Sequence, residues 1–469
     1  MIDGEKHNMI QIPSELCAEL RTYFESGRTR SYSWRKEQLL MLRRFLLEQE
    51  EEIYEALQSD FRKSRAETFF TEIHYLITEI DVALKRLKTW MKKRKVPTPL
   101  RFQPGRSFYT REPFGVVLVV AAWNYPLQLA VAPAIGAIAA GNCVMIKPSE
   151  QSPATSALLA EGVRRYLDGK AIKVFPGGVD ESRQLLEESF DYIFFTGGIK
   201  AGKQVMRKAA EHLTPVSLEL GGKNPCIVDR NTNISVAARR IVWAKFLNAG
   251  QTCIAPDYVL VQRDAEEELL GCMKVAVESF YGTDPEKSRD LPAVITAARL
   301  EKLAGYLAEG IVVTGGSIDA GRRYLSPTIL RGVSPDAPVM AEEIFGPVLP
   351  VLSYATPEDA LRIVRAARHP LALYVFSRDR SFQQYVIQNT QSGGVCINDL
   401  MFQAAIPALP FGGAGESGMG VYHGVAGFET FFRPRSVHMK RTFPENVLRY
   451  PPFSEKKFNR LRRLFRLFS

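Results

Sequence analysis

Apolar positions along the chain change their period near residue 96. Before it they recur at helical spacing. Leu39, Leu40, Leu42, Phe45 and Leu46, then Ile53, Tyr54 and Leu57, fall on one face of a structure that turns every 3.6 residues. Glu67 to Met91 continues the pattern, and Lys92-Lys93-Arg94-Lys95 closes it with cations, which suit a helix C-terminus. Residues 12 to 94 therefore predict a helical scaffold. Val96-Pro97-Thr98-Pro99 breaks the pattern, since proline removes a backbone donor. Arg101 to Arg111 then alternates around Pro104-Gly105 and predicts a two-stranded ribbon, either a subunit-contact arm or an edge hairpin.

From Val116 the rhythm becomes strand, turn, helix. Val116 to Val120, within the apolar run that ends at Trp123, reads as a buried strand, and Pro133 to Ala140 as a small-residue helix. Cys143 to Ile146 predicts a strand ending at Lys147-Pro148-Ser149-Glu150. Ser156 to Tyr166 predicts a helix, Ile172 to Val174 a strand and Ser182 to Glu187 a helix. Tyr192 to Phe195 predicts a strand running into Thr196-Gly197-Gly198 and on through Gly202, with a helix from Lys203. Such alternation predicts a parallel sheet with crossover helices, which binds ligands at the carboxyl ends of its strands. After Gly221-Gly222 a second alternating region begins. It holds a helix at Ile234 to Phe246 and strands at Tyr258 to Gln262, Leu291 to Ile295, Ile311 to Val313, Val348 to Leu352, Tyr374 to Phe376 and Gly393 to Asn398. Pro410 to Gly420 is a glycine-rich loop.

The totals narrow the classes. At 469 residues, two or three domains are expected. With 46% hydrophobic and 24% charged residues the chain is globular, not disordered. The net charge of +10 is modest, and no basic stripe marks a nucleic-acid face. Six scattered cysteines without a Cys-x-x-Cys pair predict neither a disulfide framework nor a zinc ribbon, and suit a reducing, cytoplasmic setting. Six histidines without ligand spacing predict no metal. The N-terminal residues lack the apolar core of a signal peptide, and no run reaches the ~20 apolar residues of a membrane span.

One thiol stands out. Cys253 lies in Asn248-Ala249-Gly250-Gln251-Thr252-Cys253, between a helix and a strand, where exposed backbone N–H groups can stabilise a thiolate; a small buried apolar residue is the alternative. Glu219, set between Leu218 and Leu220, is a candidate general base because apolar surroundings raise a carboxyl pKa. Asn124, at a strand end in Trp123-Asn124-Tyr125-Pro126, is a candidate oxyanion donor. Glycines 197, 198 and 202 lie where a dinucleotide's phosphates meet a helix N-terminus, although tight turns also need glycine. Lys147 and Glu150 suit ribose hydroxyls. Glu343, beside Phe345, suits a ribose and a planar ring.

Trp123-Asn124-Tyr125-Pro126, Lys147-Pro148-Ser149-Glu150, Leu218 to Gly222, Gly250-Gln251-Thr252-Cys253 and Glu343-Ile344-Phe345-Gly346-Pro347 together resemble the aldehyde dehydrogenase superfamily. Ile254-Ala255-Pro256-Asp257-Tyr258 and Tyr450 to Lys457 are similar to its class 3 branch of fatty- and aromatic-aldehyde enzymes. The resemblance implies an α/β fold: a Rossmann-type cofactor domain with its helical scaffold (1–95 and 114–220), a catalytic domain (221–415) and an oligomerisation arm (96–113 and 430–445). It implies NAD(P)-dependent oxidation of aldehydes to acids by a homodimer, with NAD expected and NADP as an alternative. Cys253 is then the nucleophile, Asn124 the oxyanion donor and Glu219 the base for thioester hydrolysis. Lys147, Glu150, Gly197, Gly198, Gly202, Trp123, Glu343 and Phe345 form the cofactor site. A coenzyme A-acylating enzyme is the rival within this chemistry, and Glu219 argues against it.

The tail, 446–469, carries a second expectation. From Phe458, apolar Leu461, Leu464, Phe465 and Phe468 share one helical face, and Arg460, Arg462, Arg463 and Arg466 cover the rest. A basic amphipathic helix of this kind predicts peripheral contact of residues 455–469 with a membrane surface; the alternatives are docking on the enzyme body or a frayed end.

Overall fold

A computed structural model describes residues 12–366, 369–443, 445 and 447–467 of the chain. Its first sheet grows from the most apolar run. Val116–Val120 is buried on both faces, as a continuous apolar strand must be in a parallel sheet, and it pairs with Cys143–Lys147 on one side and Tyr192–Gly197 on the other. The full order is Gly418–Met419, Val216–Leu220, Tyr192–Gly197, Val116–Val120, Cys143–Lys147, Ile172–Val174. Only Gly418–Met419 runs antiparallel. The chain winds outward from Val116–Val120 in one direction, then returns to its other side at Tyr192. That reversal opens a crevice at the carboxyl ends of these two strands, the place where such sheets take their ligands. The first helical segments, Pro13–Glu25, Tyr32–Glu48 and Glu50–Phe61, pack their apolar faces into the same core.

A second sheet, in the order Ile311–Thr314, Thr328–Arg331, Val348–Tyr354, Tyr258–Gln262, Pro225–Val228, Ala372–Phe376, Gly394–Ile397, forms the other α/β layer. It is parallel except at its Ile311–Thr314 edge. Gly221 to Asn224 joins the two sheets, and Cys253 lies just before a central strand of the second.

Four expectations change. Arg101 to Arg111 is not a hairpin around Pro104-Gly105. Leu100–Phe102 makes a 3-10 turn, and Gly105–Pro113 pairs instead with Arg94–Val96 and Phe432–Lys440, giving a three-stranded antiparallel arm. Leu291 to Ile295 is buried but forms no strand, because its N–H groups go elsewhere: Ala293 to the Phe61 carbonyl, Val294 to that of Arg323 and Ile295 to Gln251 Oε1. The glycine turn is shorter than its spacing suggests. Gly198 caps a helix that already begins at Ile199, so Gly202 lies inside it. The helix predicted from Glu67 to Met91 is interrupted by a π segment, Phe69–Ile73, before it resumes at His74–Trp90.

The tail forms a helix at Glu455–Leu467, with Phe458, Arg460, Arg462 and Arg463 exposed and Leu461 half-buried. Phe468 lies outside the described residues, as do the side chains of Leu464 and Phe465. Among the described residues, no helix is long and apolar enough to cross a membrane.

Candidate active site

The cysteine loop is built under backbone constraint. Helix Ile234–Phe246 ends, and Asn248, Ala249 and Gly250 follow with φ of 52°, 52° and 73°. Left-handed conformations at two non-glycine residues store strain that neighbours must hold, and such strain gathers at functional sites. Gly250 also abuts the Gly346 carbonyl so closely that a Cβ has no room. Gln251 holds the loop from within. Its Nε2 donates to the carbonyls of Asn248 (3.1 Å) and Ala293 (3.0 Å), and its Oε1 accepts the Ile295 N–H at 2.9 Å. Beyond the cysteine, Asn224 Nδ2 donates to the Cys253 carbonyl at 2.8 Å and the Ala255 carbonyl at 3.0 Å. Lys223 pairs with buried Asp257 at 2.6 Å.

Cys253 is half-buried. Burial pushes its thiol pKa up, and the nearby Glu343 and Glu219 carboxyls add to this; the N–H groups of Cys253 and Ile254 act the other way and are outweighed. The same N–H groups are placed to receive negative charge beside the sulfur. Asn124 is held against the same loop. Its Nδ2 donates to the Gln251 carbonyl at 3.0 Å and its own carbonyl accepts from Asn248 Nδ2 at 2.8 Å, which fixes the amide against the loop. Glu219, on Val216–Leu220, is buried, and neither carboxyl oxygen has a hydrogen-bond partner among the described residues. Desolvation drives its pKa well above the usual carboxylate range. Such a group gains stability by taking a proton, which is the property a base beside a thiol needs.

The remaining candidates lie at the carboxyl ends of the first sheet's strands and in the Glu343-Ile344-Phe345 loop. Lys147 ends its strand with its ammonium buried, donating to the carbonyls of Pro148 and Gly177, both at 2.7 Å, and lying 3.8 Å from exposed Glu150. Burial lowers its pKa. Gly198 faces open space at the N-terminus of helix Ile199–Glu211, where free N–H groups favour an anion. The other two glycines answer packing needs. A side chain at Gly197 would meet the Phe195 ring, and one at Gly202 would meet Leu220, while the Gly202 N–H is already bonded to the Gly198 carbonyl. Glu343 tucks against Gly221, its pKa pushed up to about 8 by burial and by Asp257, with Oε1 sealed off and unpartnered. Phe345 meets Trp123 edge-on, with ring centroids 5.4 Å apart, and Trp123 stacks on Phe61. Thr196 Oγ1 is likewise buried without a partner. An open helix N-terminus, orphaned polar atoms and an aromatic wall fit a dinucleotide.

On the other side of Cys253 lies a mostly apolar cavity of about 460 Å³, walled by Phe70, Tyr75, Tyr125, Trp243, Phe402 and Tyr422. Among its polar groups, Tyr75 Oη lies 2.6 Å from Nε2 of His423, which burial keeps neutral, its pKa lowered to about 3. A larger opening of about 830 Å³, lined by charges of both signs such as Arg62 and Glu286, does not reach Cys253. Cys253, Glu219, Asn124 and Glu343 thus converge, as the sequence motifs suggested. Asn224, Thr252 and the Lys223–Asp257 pair were not foreseen. Their nearness in sequence to Gly222 and Cys253 was the available signal.

The sequence profile of the aldehyde dehydrogenase family matches residues 15–437. Rat aldehyde dehydrogenase family 3 member B1 is 46% identical over 440 residues, covering 93% of this chain and 94% of that protein. The rat aldehyde dehydrogenase described as dimeric and NADP-preferring is 42% identical, covering 94% and 98%. The substrate-bound structure of Staphylococcus aureus AldH superposes with a TM-score of 0.94 at 40% identity, covering 97% of this chain and all of that one. Matched by that profile over most of its length and more than 40% identical to the two rat enzymes, this protein belongs to the aldehyde dehydrogenase family and is an oxidoreductase acting on aldehydes.

Proposed function

We propose that the enzyme oxidises medium- or long-chain aliphatic or aromatic aldehydes to carboxylic acids with NAD(P), through covalent catalysis at Cys253. The observation that carries this reading is Glu219, a buried carboxyl without a partner, close enough to Cys253 to raise its thiol pKa. Cys253 attacks the carbonyl carbon as its thiol proton passes to the Glu219 carboxylate and on to solvent, forming a C–S bond, and the new oxyanion is held by the Asn124 amide and the Cys253 N–H. Bound NAD(P) supplies the hydride acceptor. Loss of hydride from the thiohemiacetal leaves a thioester on Cys253. The Glu219 carboxylate takes a proton from water as its oxygen attacks the thioester, the C–S bond breaks and the acid leaves. Lys147 and Glu150 would hold the adenosine ribose, Gly198 would admit the pyrophosphate, and Glu343 with Phe345 and Trp123 would orient the nicotinamide ribose and ring.

The aromatic walls of the cavity support apolar substrates larger than acetaldehyde. Glu150 favours NAD, because a 2′-phosphate would meet its charge. The arm of Arg94–Val96, Gly105–Pro113 and Phe432–Lys440 is the expected dimer contact. Six free thiols agree with a reducing, cytoplasmic setting. A peripheral membrane contact through residues 455–469 is a second reading, favoured by the exposed cations of helix Glu455–Leu467.

The test is reduced-cofactor formation with NAD and NADP over acetaldehyde, hexanal, hexadecanal and benzaldehyde, for the wild type, Cys253→Ala and Glu219→Gln. Turnover is expected with the longer or aromatic aldehydes, none in Cys253→Ala, and a hydride burst with slow turnover in Glu219→Gln. Acyl transfer to coenzyme A that outruns hydrolysis in the wild type would replace this reading with the acylating one.

A further inference from the structure

Lys63 and Glu72 have no part in the chemistry above, and their placement is expensive. Both side chains are fully buried, with Lys63 Nζ donating to Glu72 Oε1 at 3.1 Å. Taking two charges out of water costs several kcal/mol per ion, so a buried pair is often no more stable than apolar residues of the same volume. Stability alone is a weak reason for it. Its surroundings supply another.

Glu72 Oε2 accepts the Gln128 N–H at 2.8 Å in the first turn of helix Pro126–Ala140, whose positive end a carboxylate also stabilises. The Lys63 ammonium sits 4.3 Å from the centroid of the Tyr125 ring. Tyr125 Oη lies 2.6 Å from Thr252 Oγ1, on the residue just before Cys253. A cation against the ring face draws electron density from the phenol and favours Tyr125 as the donor in that contact. One ion pair thus grips both ends of the Tyr125–Gln128 turn, directly after Asn124. The π segment makes this possible. By widening one turn at Phe69–Ile73 it directs Glu72 inward to Lys63 while Phe70, Thr71 and Tyr75 line the cavity beside Cys253. π segments are rare and concentrate at functional sites.

We propose that Lys63, Glu72 and Tyr125 form a positioning unit for the nucleophile, in which the buried ion pair holds the Tyr125 ring and the Tyr125 hydroxyl holds Thr252. The unit opposes the strain of Asn248 and Ala249 from the far side of the loop and keeps the Cys253 sulfur aligned with the Asn124 amide. It rests on the reading of Cys253 as the nucleophile, and it acts through Thr252.

The test is a double-mutant cycle in the full-length enzyme. Tyr125→Phe and Thr252→Val, singly and together, are compared for the rate of Cys253 alkylation by iodoacetamide, followed by peptide mass spectrometry. The same variants are compared for kcat and KM with hexanal, and for Tm. Each single change is expected to slow alkylation and lower kcat roughly 3- to 10-fold with KM nearly constant, and the double variant to be no slower than either one. Lys63→Met is expected to give the same loss and to leave Tyr125→Phe without further effect. Losses that multiply in the double variant would overturn the proposal. So would a rise in KM at constant kcat, which marks simple lining of the cavity. A fall in Tm with unchanged alkylation would reduce the unit to a structural one. If Lys63→Met does not fold, the Tyr125–Thr252 cycle decides alone. Turnover surviving in Cys253→Ala would remove the catalytic reading while the alkylation cycle still reports the coupling in the loop.

Discussion

In the proposed mechanism Cys253 and Glu219 divide the reaction between them, and each can be removed without the other. Cys253→Ala leaves no atom to form the acyl bond, so NADH formation should vanish for every aldehyde. Glu219→Gln keeps the thiol but not the base. It should show one turnover of reduced cofactor and then a steady rate lower by roughly 10²- to 10⁴-fold, the usual worth of general-base catalysis. The same substitution has a signed effect on stability. A carboxyl whose folded pKa lies above its ordinary value of 4.5 favours the fold when protonated, and that contribution is lost as pH rises through the folded pKa. Gln cannot ionise. Glu219→Gln should therefore match the wild type in Tm below pH 4.5 and exceed it increasingly as the pH rises above 4.5, measured by thermal unfolding across pH. A wild type more stable than the variant at neutral pH would mean that the carboxylate has a partner in the folded enzyme. At this scale much was legible. Cys253, Asn124 and Glu343 stand in short motifs of small, polar and aromatic residues that ordinary cores do not contain. Lys63 and Glu72 were not legible, since a buried ion pair becomes informative only once Tyr125 and Gln128 are seen against it.

At the scale of elements, period separated strand from helix well where burial is complete. Tyr258–Gln262 and Ile234–Phe246 fall where their patterns place them. Leu291 to Ile295 has the same apolar look but lies between Phe61 and the cysteine loop, where single backbone bonds replace a ladder. Pro225–Val228, a central strand, went unread because it is short and opens with proline. The glycines after Tyr192–Gly197 look equivalent in sequence, yet only Gly198 faces open space. Gly250 shows how an element transmits function. Its left-handed φ and its approach to the Gly346 carbonyl tie the cysteine loop to Glu343-Ile344-Phe345. Gly250→Ala must either strain the backbone or separate the two loops. Unfolding in urea should show a loss of roughly 1–3 kcal/mol, and kcat should fall with cofactor affinity, since both the thiol and the loop proposed to hold the nicotinamide shift. An unchanged kcat would show that the loops move independently.

For the whole molecule, the alternation of elements pointed to one parallel sheet and a second alternating region, while strand order and the three-stranded arm depend on contacts between residues hundreds of positions apart. Phe432–Lys440 pairs with Gly105–Pro113 across more than three hundred residues, which no local pattern encodes. Charge is also distributed at this scale. Of the net +10, Glu455 and the six cations from Lys456 to Arg466 supply +5, so half of the excess sits on the last fifteen residues. The other +5 is spread over the remaining 454 residues, so under the proposed membrane reading the tail is where an anionic surface would be felt most. Near an anionic bilayer each cation contributes about 1 kcal/mol, and a single Debye length of about 10 Å at 0.1 M salt screens the attraction. The full chain should therefore float with phosphatidylserine-containing vesicles at low salt, bind phosphatidylcholine vesicles weakly and detach as ionic strength rises. Deletion of residues 455–469 should abolish flotation while hexanal oxidation continues at the same kcat, because among the described residues none of those lining the cavity beside Cys253 belongs to the tail. Flotation that survives the deletion would move the contact to the enzyme body. A deletion that keeps flotation absent throughout but lowers kcat would instead place Glu455–Leu467 against the catalytic cavity, and the cations would then be the solvent face of a docked helix.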